Sequence, residues 1–364
     1  TMISFFIEFY LVNYCIYLDR CLMQPIDFVM IWVDSTDTKW QQQYIYYKSK
    51  ETKTKIDELV DQCRYRDWNN LHYWFRSVEK FCPWVRKIHL VTCGHFPEFL
   101  VKNHPKLNLV THDQIIEPHC LPTFNSHAIE INIHKIEGLA EHFVYFNDDT
   151  FINSPLEPEF FFKNGLPCDG IQLQPLMVVG EENFLGAVAL TDVAIINKYF
   201  DKRKLFRSNP SALFNHRYSI SNNLGNFLSL YNRKFSSFYS THLPQPFLKS
   251  VFEEVWRNEE SYLKEVSSHR FRQPLDVNQY LFRLWQLCSA RFYPVNIFQR
   301  GQNFNLRIQN LPEINHVIKY EQLPQICLND DEHVVDFEKL KTEIIQIFEQ
   351  KFNTVSSFEK KITH

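Results

Sequence analysis

The chain has 364 residues, of which 45% are hydrophobic and 22% charged, so it is long enough for a substantial core and is not a disordered protein. Its net charge of -3 provides no general attraction to nucleic acid or anionic lipid, and no nucleic-acid partner is expected. Aromatic residues make up 16%, and most of these rings must lie in the core, although aromatic faces also suit sugar stacking.

Nine cysteines are scattered along the chain without a C-x-x-C pair or zinc-finger spacing. This distribution argues against structural zinc and against a disulfide framework. The odd number of cysteines indicates reduced thiols, and we therefore expect a cytoplasmic protein.

The N-terminal residues 2–18 are apolar, but Glu8 interrupts them and no basic segment precedes them. Neither a signal peptide nor a membrane span is predicted, and an interfacial or packed helix fits better. Because Met23 comes just before a clean strand-like segment, residues 1–25 are assigned to an N-terminal extension. The sequence leaves open whether Met23 is the natural start.

The first half of the chain alternates strand-like and helix-like segments. Residues 26–33 read as a buried strand, followed by a turn at 34–37 that can cap a helix beginning near Trp40. Helical periodicity over 66–80 is ended by Pro83. The next elements are strands over 87–92, 107–112 and 143–146, with a helix over 128–134.

This alternation predicts an α/β fold, a Rossmann-like and mostly parallel sheet flanked by helices. Residues 170–240 are predicted to form a mainly helical or irregular insertion that covers the sheet. Further helices are predicted over 247–266, 276–289 and 333–352. The chain is thus divided into a domain at 26–332 and a C-terminal helix and tail at 333–364.

One apolar run ends in Asn147-Asp148-Asp149. If residues 143–146 form a buried parallel strand, this triplet lies at the sheet edge where such folds bind ligands. Two adjacent carboxylates suit a divalent cation or a cationic partner. A solvated turn that caps the next segment uses the same residue types and stays open as the alternative.

Three other segments carry candidate chemistry, each with a structural alternative. Asn125 and Ser126 begin a helix and either cap it or meet an anion. His242 lies in a proline-flanked loop, as a base or as an ordinary polar residue. Arg272, followed by Asp276 and Asn278, suits phosphate recognition or a surface ion-pair cluster.

A further apolar run ends in Asn329-Asp330 and repeats the pattern of the first triplet. Two strands of one sheet can end at the same edge, which would bring both motifs together. A structural turn is the alternative.

Taken in order, these segments resemble the four conserved blocks of the Stealth family. That family includes capsular and receptor polysaccharide phosphotransferases and the catalytic part of N-acetylglucosamine-1-phosphotransferase. The resemblance covers roughly residues 26–330, and the long second block is highly specific. The blocks lie at residues 26–37, at 66–149 including Leu121-Pro-Thr-Phe-Asn-Ser126, at Thr241-His242 with Arg272, Asp276 and Asn278, and at 326–330.

Two features depart from the family pattern. Ser35 stands where many members have glycine, so its loop must reach its conformation without that freedom. Residues 170–240 match no block, and we expect acceptor specificity to reside there.

The resemblance implies transfer of a hexose- or N-acetylhexosamine-1-phosphate from a UDP-sugar to a sugar hydroxyl, with release of UMP, in cell-surface polysaccharide synthesis. The acceptor would be a glycan or a lipid-linked glycan, which leaves peripheral association with the inner face of the membrane open. The implied cofactor is Mg²⁺ or Mn²⁺ held by Asp148 and Asp149.

Residue roles follow from the same resemblance. His242 is expected to be the general base and Arg272 to neutralise phosphate charge. The predicted catalytic residues are His242, Asp148, Asp149, Arg272 and Asp276. The predicted substrate-binding residues are Trp32, Asp34 and Asp37 at the nucleotide, and Asn125, Ser126, Asn147 and Asn278 at phosphate, metal or sugar.

Two other functions remain as alternatives at this point. One is a metal-dependent glycosyltransferase that breaks the bond between sugar and phosphate and releases UDP. The other is a non-catalytic carbohydrate-binding module, which only the aromatic content supports.

Overall fold

The computed structural model describes residues 24–50, 65–175, 184–330, 334 and 336–361. The predicted N-terminal extension lies outside these residues, apart from Gln24 and Pro25. The strands are β1 (Ile26–Ile31), β2 (Lys87–Thr92), β3 (Leu107–Thr111), β4 (His142–Phe146), β5 (Thr150–Ile152), β6 (Phe162–Lys163), β7 (Leu166–Asp169), β8 (Leu173–Gln174), β9 (Ser237–Phe238), β10 (Gln245–Leu248), β11 (Tyr293–Pro294), β12 (Gln302–Asn305) and β13 (Gln325–Asn329).

The α-helices lie between and after these strands, and short 3₁₀ turns complete the connections. They are α1 (Thr38–Lys48), α2 (Leu71–Phe81), α3 (Ser126–Glu130), α4 (Phe184–Tyr199), α5 (Lys202–Ser208), α6 (Pro210–Leu213), α7 (Ile220–Ser229), α8 (Lys249–Asn258), α9 (Glu260–Ser268), α10 (Gln279–Cys288), α11 (Leu311–Lys319) and α12 (Phe337–Lys351).

The central sheet has the order β10-β4-β1-β2-β3. Its strands β4, β1, β2 and β3 run parallel, and β10 adds an antiparallel edge. Every residue of β4 is buried, as expected for a strand covered on both faces. The predicted α/β class with a mostly parallel sheet is confirmed.

A second sheet lies directly beyond the end of β4. After a three-residue turn the chain enters β5, which pairs antiparallel with β13, and β13 pairs parallel with β12. The apolar run before Asn329-Asp330 therefore belongs to this second sheet and not to the central one. Asp330 accepts hydrogen bonds from Arg66 Nη1 and Trp68 Nε1, both at 3.2 Å.

Several predicted helices differ in length from those observed. The helix predicted over 66–80 begins only at Leu71, after Asn69 takes a positive φ of 50°. The helix predicted over 128–134 is the single turn α3 followed by a 3₁₀ turn. The segment 247–266 divides into α8 and α9. The insertion at 170–240 is mainly helical, as predicted, and holds α4 to α7 with the β8-β9 pair.

The C-terminal helix α12 packs on α2 and belongs to the same hydrophobic core as the central sheet. The rings of Tyr73 and Phe348 stack with centroids 5.5 Å apart. Beyond α12, Glu359 forms a salt bridge of 2.8 Å with Arg76. Among the described helices, none is long and apolar enough to span a membrane.

A buried carboxylate joins β1 to its neighbours at the start of the sheet. Asp27 is fully buried and accepts hydrogen bonds from Arg86 Nε (2.8 Å), from the Ala140 amide (2.8 Å) and from His89 Nε2 (3.0 Å). Burial opposes ionisation, but these partners together hold the pKa of Asp27 below its ordinary value. Its stabilising effect is therefore present at neutral pH and is lost only in acid, as the pH falls through the lowered pKa.

We expect Asp27→Ala to lower the free energy of unfolding by about 3 kcal/mol at pH 7, because it leaves buried His89 without its charged partner. Urea unfolding at equilibrium measures this loss. The control is Asp113→Ala, which removes an exposed carboxylate and should change stability by less than about 0.5 kcal/mol. Equal losses in both variants would show that Asp27 does not anchor the sheet.

Candidate active site

Loops from several strands meet at the edge of the sheet where the parallel strands end. Asp34 follows β1, His95 follows β2, and the Asn147-Asp148-Asp149 triplet follows β4. Because β10 runs antiparallel to β4, the loop just before β10 reaches this same edge and brings His242 with it. Ligands of such folds bind at this edge.

Asp149 and His242 form a pair in this cleft. His242 Nε2 lies 3.1 Å from Asp149 Oδ2 and 3.4 Å from Asn147 Nδ2. The charge of Asp149 raises the pKa of His242 above its ordinary value. Tyr145 donates its hydroxyl hydrogen to Asn147 Oδ1 at 3.0 Å and so orients the amide. The pair can hold and exchange a proton.

Side chains of α10 hold the loop that carries His242. Arg283 and Asp169 form a buried bidentate ion pair, with both N···O distances 2.8 Å. Arg283 Nη1 also donates to Ser240 Oγ at 3.1 Å, and Tyr280 donates its hydroxyl hydrogen to the Thr241 carbonyl at 3.2 Å. These contacts therefore fix the position of His242, although it lies in a loop.

Asp149 is also attached to the second sheet. Its carbonyl accepts a hydrogen bond from the Leu328 amide at 2.8 Å, and its Oδ2 accepts one from Cys327 Sγ at 3.3 Å. The other carboxylate oxygen, Oδ1, is buried and accepts no hydrogen bond from the described residues. A buried carboxylate oxygen without a donor is costly, and a cation would satisfy it.

Asp148 lines the same cleft and keeps accessible surface. Loss of hydration, followed by the adjacent charge of Asp149, raises the pKa of Asp148 to about 7. Because the side chain of Asp148 is exposed, the adjacent charge of Asp149 is the cause that the geometry supports. Because the charge of Asp149 opposes the ionisation of Asp148, a positive ligand would be favourable at this position.

Two sets of ligands for a metal ion are present. Asp148 and Asp149 supply oxygen atoms from one loop, and the unpaired Oδ1 of Asp149 fits a hard cation such as Mg²⁺ or Mn²⁺. Ligand atoms of Asp149, His242 and Cys327 also lie within 4.8 Å of one another, a set that suits a softer metal such as zinc. Asp149 is common to both sets.

The cationic side chain of Arg272 lies close enough to this cleft for its charge to act on buried residues there. Arg272 Nη2 donates to Ser126 Oγ at 2.5 Å. Glu130, buried one turn further along α3, accepts a hydrogen bond from the Gln279 amide at 3.2 Å. Burial raises the pKa of Glu130, while the charges of Arg272 and His242 oppose that rise. The charge of Glu130 thus acts on both sides of the cleft.

The loop that carries Arg272 is organised by a buried hydrogen-bonded centre. Asp276 is fully buried and accepts from Asn125 Nδ2 at 2.8 Å, from the Gln273 amide at 2.9 Å, and lies 2.6 Å from His269 Nδ1. Asn125, also fully buried, accepts from the His127 amide at 3.0 Å and caps α3. Asn125 and Asp276 therefore fix the loop through buried hydrogen bonds, and neither side chain is exposed to solvent.

Asn278 and the residues after β1 have capping contacts of their own. Asn278 is buried and caps α10, so this helix begins at Gln279 and not at the predicted residue 276. Asp37 caps α1 as predicted, accepting from the Trp40 amide at 2.7 Å. Asp34 accepts two hydrogen bonds from Thr36.

His95 connects the loop after β1 to the end of β2. Its Nε2 accepts a hydrogen bond from the Asp34 amide at 2.7 Å, and its ring meets the edge of Trp32 with centroids 5.5 Å apart. The sequence analysis did not select His95, Glu130 or Cys327. His95 could have been found because it follows a predicted strand, whereas the other two carry no local signal of their position.

Comparison with known proteins gives consistent relatives. Residues 64–168 match the family model described as Stealth protein CR2, conserved region 2. The capsular polysaccharide phosphotransferase WcwK of Streptococcus pneumoniae is 41% identical over 340 residues, which cover 93% of this chain and 99% of WcwK. The receptor polysaccharide phosphotransferase WefC of Streptococcus gordonii is 36% identical over 93% of this chain and 100% of its own length. The exopolysaccharide phosphotransferase cps2G of Lactiplantibacillus plantarum is 37% identical, with coverages of 92% and 96%.

We expect Asn125→Ala to lower the free energy of unfolding by about 2 to 3 kcal/mol, because it removes a helix cap and also a donor to the buried Asp276. The control is Asn296→Ala, which removes a cap from a 3₁₀ turn and no buried carboxylate partner, and should lower it by about 1 kcal/mol. Thermal and urea unfolding measure both. Equal losses would contradict a central role for Asn125 in the Arg272 loop.

Proposed function

The chain belongs to the Stealth family of polysaccharide phosphotransferases, so it is a transferase, and from this starting point we propose its reaction. It transfers a hexose- or N-acetylhexosamine-1-phosphate from a UDP-sugar to a hydroxyl group of a glycan or lipid-linked glycan. UMP is the second product, and the new phosphodiester belongs to a cell-surface polysaccharide. The observation that carries this proposal is the convergence of Asp149, His242 and the Arg272 side chain at one cleft.

In the proposed reaction the acceptor oxygen forms a bond to the phosphorus that carries the sugar. The bond from that phosphorus to the bridging oxygen of the diphosphate breaks, and the bridging oxygen leaves with UMP. The proton of the acceptor hydroxyl passes to His242, which Asn147 and Asp149 hold in place. A Mg²⁺ or Mn²⁺ bound by Asp148 and Asp149 would supply positive charge at the diphosphate.

Arg272 is proposed to bind the diphosphate from the opposite side. A guanidinium group stabilises charge on phosphoryl oxygens, and the hydrogen bond to Ser126 fixes its direction. Asp276 and Asn125 act as positioning residues through the loop behind it, and Asn278 does so through the start of α10. In this proposal Asp276, which the sequence analysis expected among the catalytic residues, acts through the loop that carries Arg272.

The nucleotide would lie at the end of β1. Trp32 offers an aromatic face beside His95, and Asp34 shapes the loop through its hydrogen bonds to Thr36. Asp37 fixes the following helix α1 by capping it. We place the reaction in the cytoplasm, since the described cysteines are free thiols.

The product of donor cleavage tests the reaction class. Purified protein, supplied with Mn²⁺, a glycan acceptor and individual UDP-hexoses or UDP-N-acetylhexosamines, should release UMP and form the sugar phosphodiester on the acceptor, both detected by mass spectrometry. Asp149→Ala should release none above background while still binding donor, because a group at the reacting centre is lost. Release of UDP would instead support an ordinary glycosyltransferase and contradict this proposal. Donor binding without turnover by the unmodified protein would support a binding module.

Cation binding tests the metal ligands. Asp149→Asn should weaken Mn²⁺ binding by at least about tenfold in calorimetric titration, since even residues that only support a ligand change metal affinity by that factor. Cys327→Ala should leave Mn²⁺ affinity near that of the unmodified protein, because oxygen ligands hold this cation. Loss of binding in Cys327→Ala, with a preference for Zn²⁺ over Mn²⁺, would point to the Asp149, His242 and Cys327 set instead.

A further inference from the structure

The helix α7 in the insertion has an exposed face that is apolar. Leu224, Phe227 and Leu228 expose 56%, 63% and 66% of their surface, and Ile220 and Tyr231 at the two ends expose 89% and 87%. Their spacing places them along one stripe of the helix. Contiguous apolar surface of this kind marks an interaction site in a folded protein.

The inner face of α7 is polar and is the face that attaches the helix to the protein. Asn226 is fully buried, accepts from the Leu173 amide at 2.8 Å, and donates to the carbonyls of Ile171 and Leu213 at 2.9 and 2.8 Å. Asn222 is buried on the same side. Because these amides anchor the helix, its apolar stripe faces away from them and stays largely exposed.

The charge around α7 indicates what that partner is. Residues 202–252 contain eight lysines and arginines and no acidic residue, while the whole chain has a net charge of -3, so the remainder carries -11. Six of these cations are exposed: Arg203, Lys204, Arg207, Arg217, Arg233 and Lys234. Arg203 is tied to the segment after α7, since it donates to the Tyr231 carbonyl at 2.9 Å, whereas Arg233 is paired with Asp201, which lies just before this range.

We propose that α7 docks this protein on an anionic lipid surface. The apolar stripe enters the interfacial layer, and the flanking cations contact the headgroups. Interfacial helices combine an apolar face with basic residues that meet the headgroups; here α7 supplies the apolar face, and the segments before and after it supply the basic residues. Local charge outweighs the weak overall charge here, because attraction to a membrane acts only within about 10 Å.

The docking surface is connected to the active-site loop. The helix α7 packs on β8 through Asn226, and β8 pairs with β9, which ends four residues before His242. A lipid surface at α7 would therefore bring lipid-linked acceptors to the side of the cleft where His242 lies. The docking itself does not depend on the proposed reaction and is measured without any substrate.

Sedimentation with vesicles tests the proposal. At low ionic strength the full chain should bind vesicles of phosphatidylglycerol and phosphatidylcholine and not vesicles of phosphatidylcholine alone. Leu228→Glu should reduce binding by about tenfold, because it puts a charge into the apolar stripe. Lys204→Glu with Arg207→Glu should reduce it by a similar factor, about tenfold, by reversing the local attraction.

The matched control is Ile45→Glu, at a residue of α1 that is 66% exposed like Leu228 and receives the same change in charge. Ile45→Glu should bind vesicles like the unmodified chain. Unchanged thermal unfolding of Leu228→Glu, of the double variant and of Ile45→Glu should show that all three variants fold. Equal binding by Leu228→Glu and the unmodified chain would overturn the proposal. So would a concentration-dependent dimer that Leu228→Glu dissociates without any vesicle binding, since a second copy of the chain would then cover α7.

Discussion

The turn between β4 and β5 is the constraint on which the site depends, because it joins two sheets within three residues. The carbonyl of Asn147 accepts hydrogen bonds from both the amide and the hydroxyl of Thr150, at 3.1 and 2.7 Å. The carbonyl of Asp149 is held by β13 of the second sheet. Because the backbone of this turn is fixed at both ends, the side chains of Asp148 and Asp149 have little freedom to move apart. Their electrostatic repulsion therefore persists in the folded protein.

Two kinds of carboxylate lie in and around the cleft. Asp276 behind the Arg272 loop and Asp169 behind the His242 loop are buried with their hydrogen bonds satisfied, by Asn125 and His269 in one case and by Arg283 and Gln245 in the other. Such groups fix loops and gain nothing from a ligand. At the cleft itself Asp149 has an oxygen without a donor. This difference between satisfied and unsatisfied carboxylates separates positioning residues from those that suit a bound cation.

The parts of the fold that local sequence determines were predicted. Strand β2 has the predicted bounds, and β1 and β4 agree within two residues, because each is an apolar run long enough to be buried on both faces. Strand β10 was not predicted, since its place beside β4 depends on contacts between distant segments. Asp276 was predicted to begin a helix from its charge alone, whereas the buried amide of Asn278 is the cap.

For the site, the Asn147-Asp148-Asp149 triplet and the residues after β1 could be selected because they follow predicted buried strands. The other candidates follow no such strand and could not be ranked in this way. Glu130 lies inside a short helix with no local sign of burial, and only the folded chain shows its charge acting on Arg272 and His242. The orientation of α7 was equally impossible to predict, because apolar residues at 220, 224 and 228 have the spacing of a helix face that packs against the core. Only the buried contacts of Asn226 show which side of α7 faces inward, and the apolar residues that stay exposed lie on the opposite side of the helix.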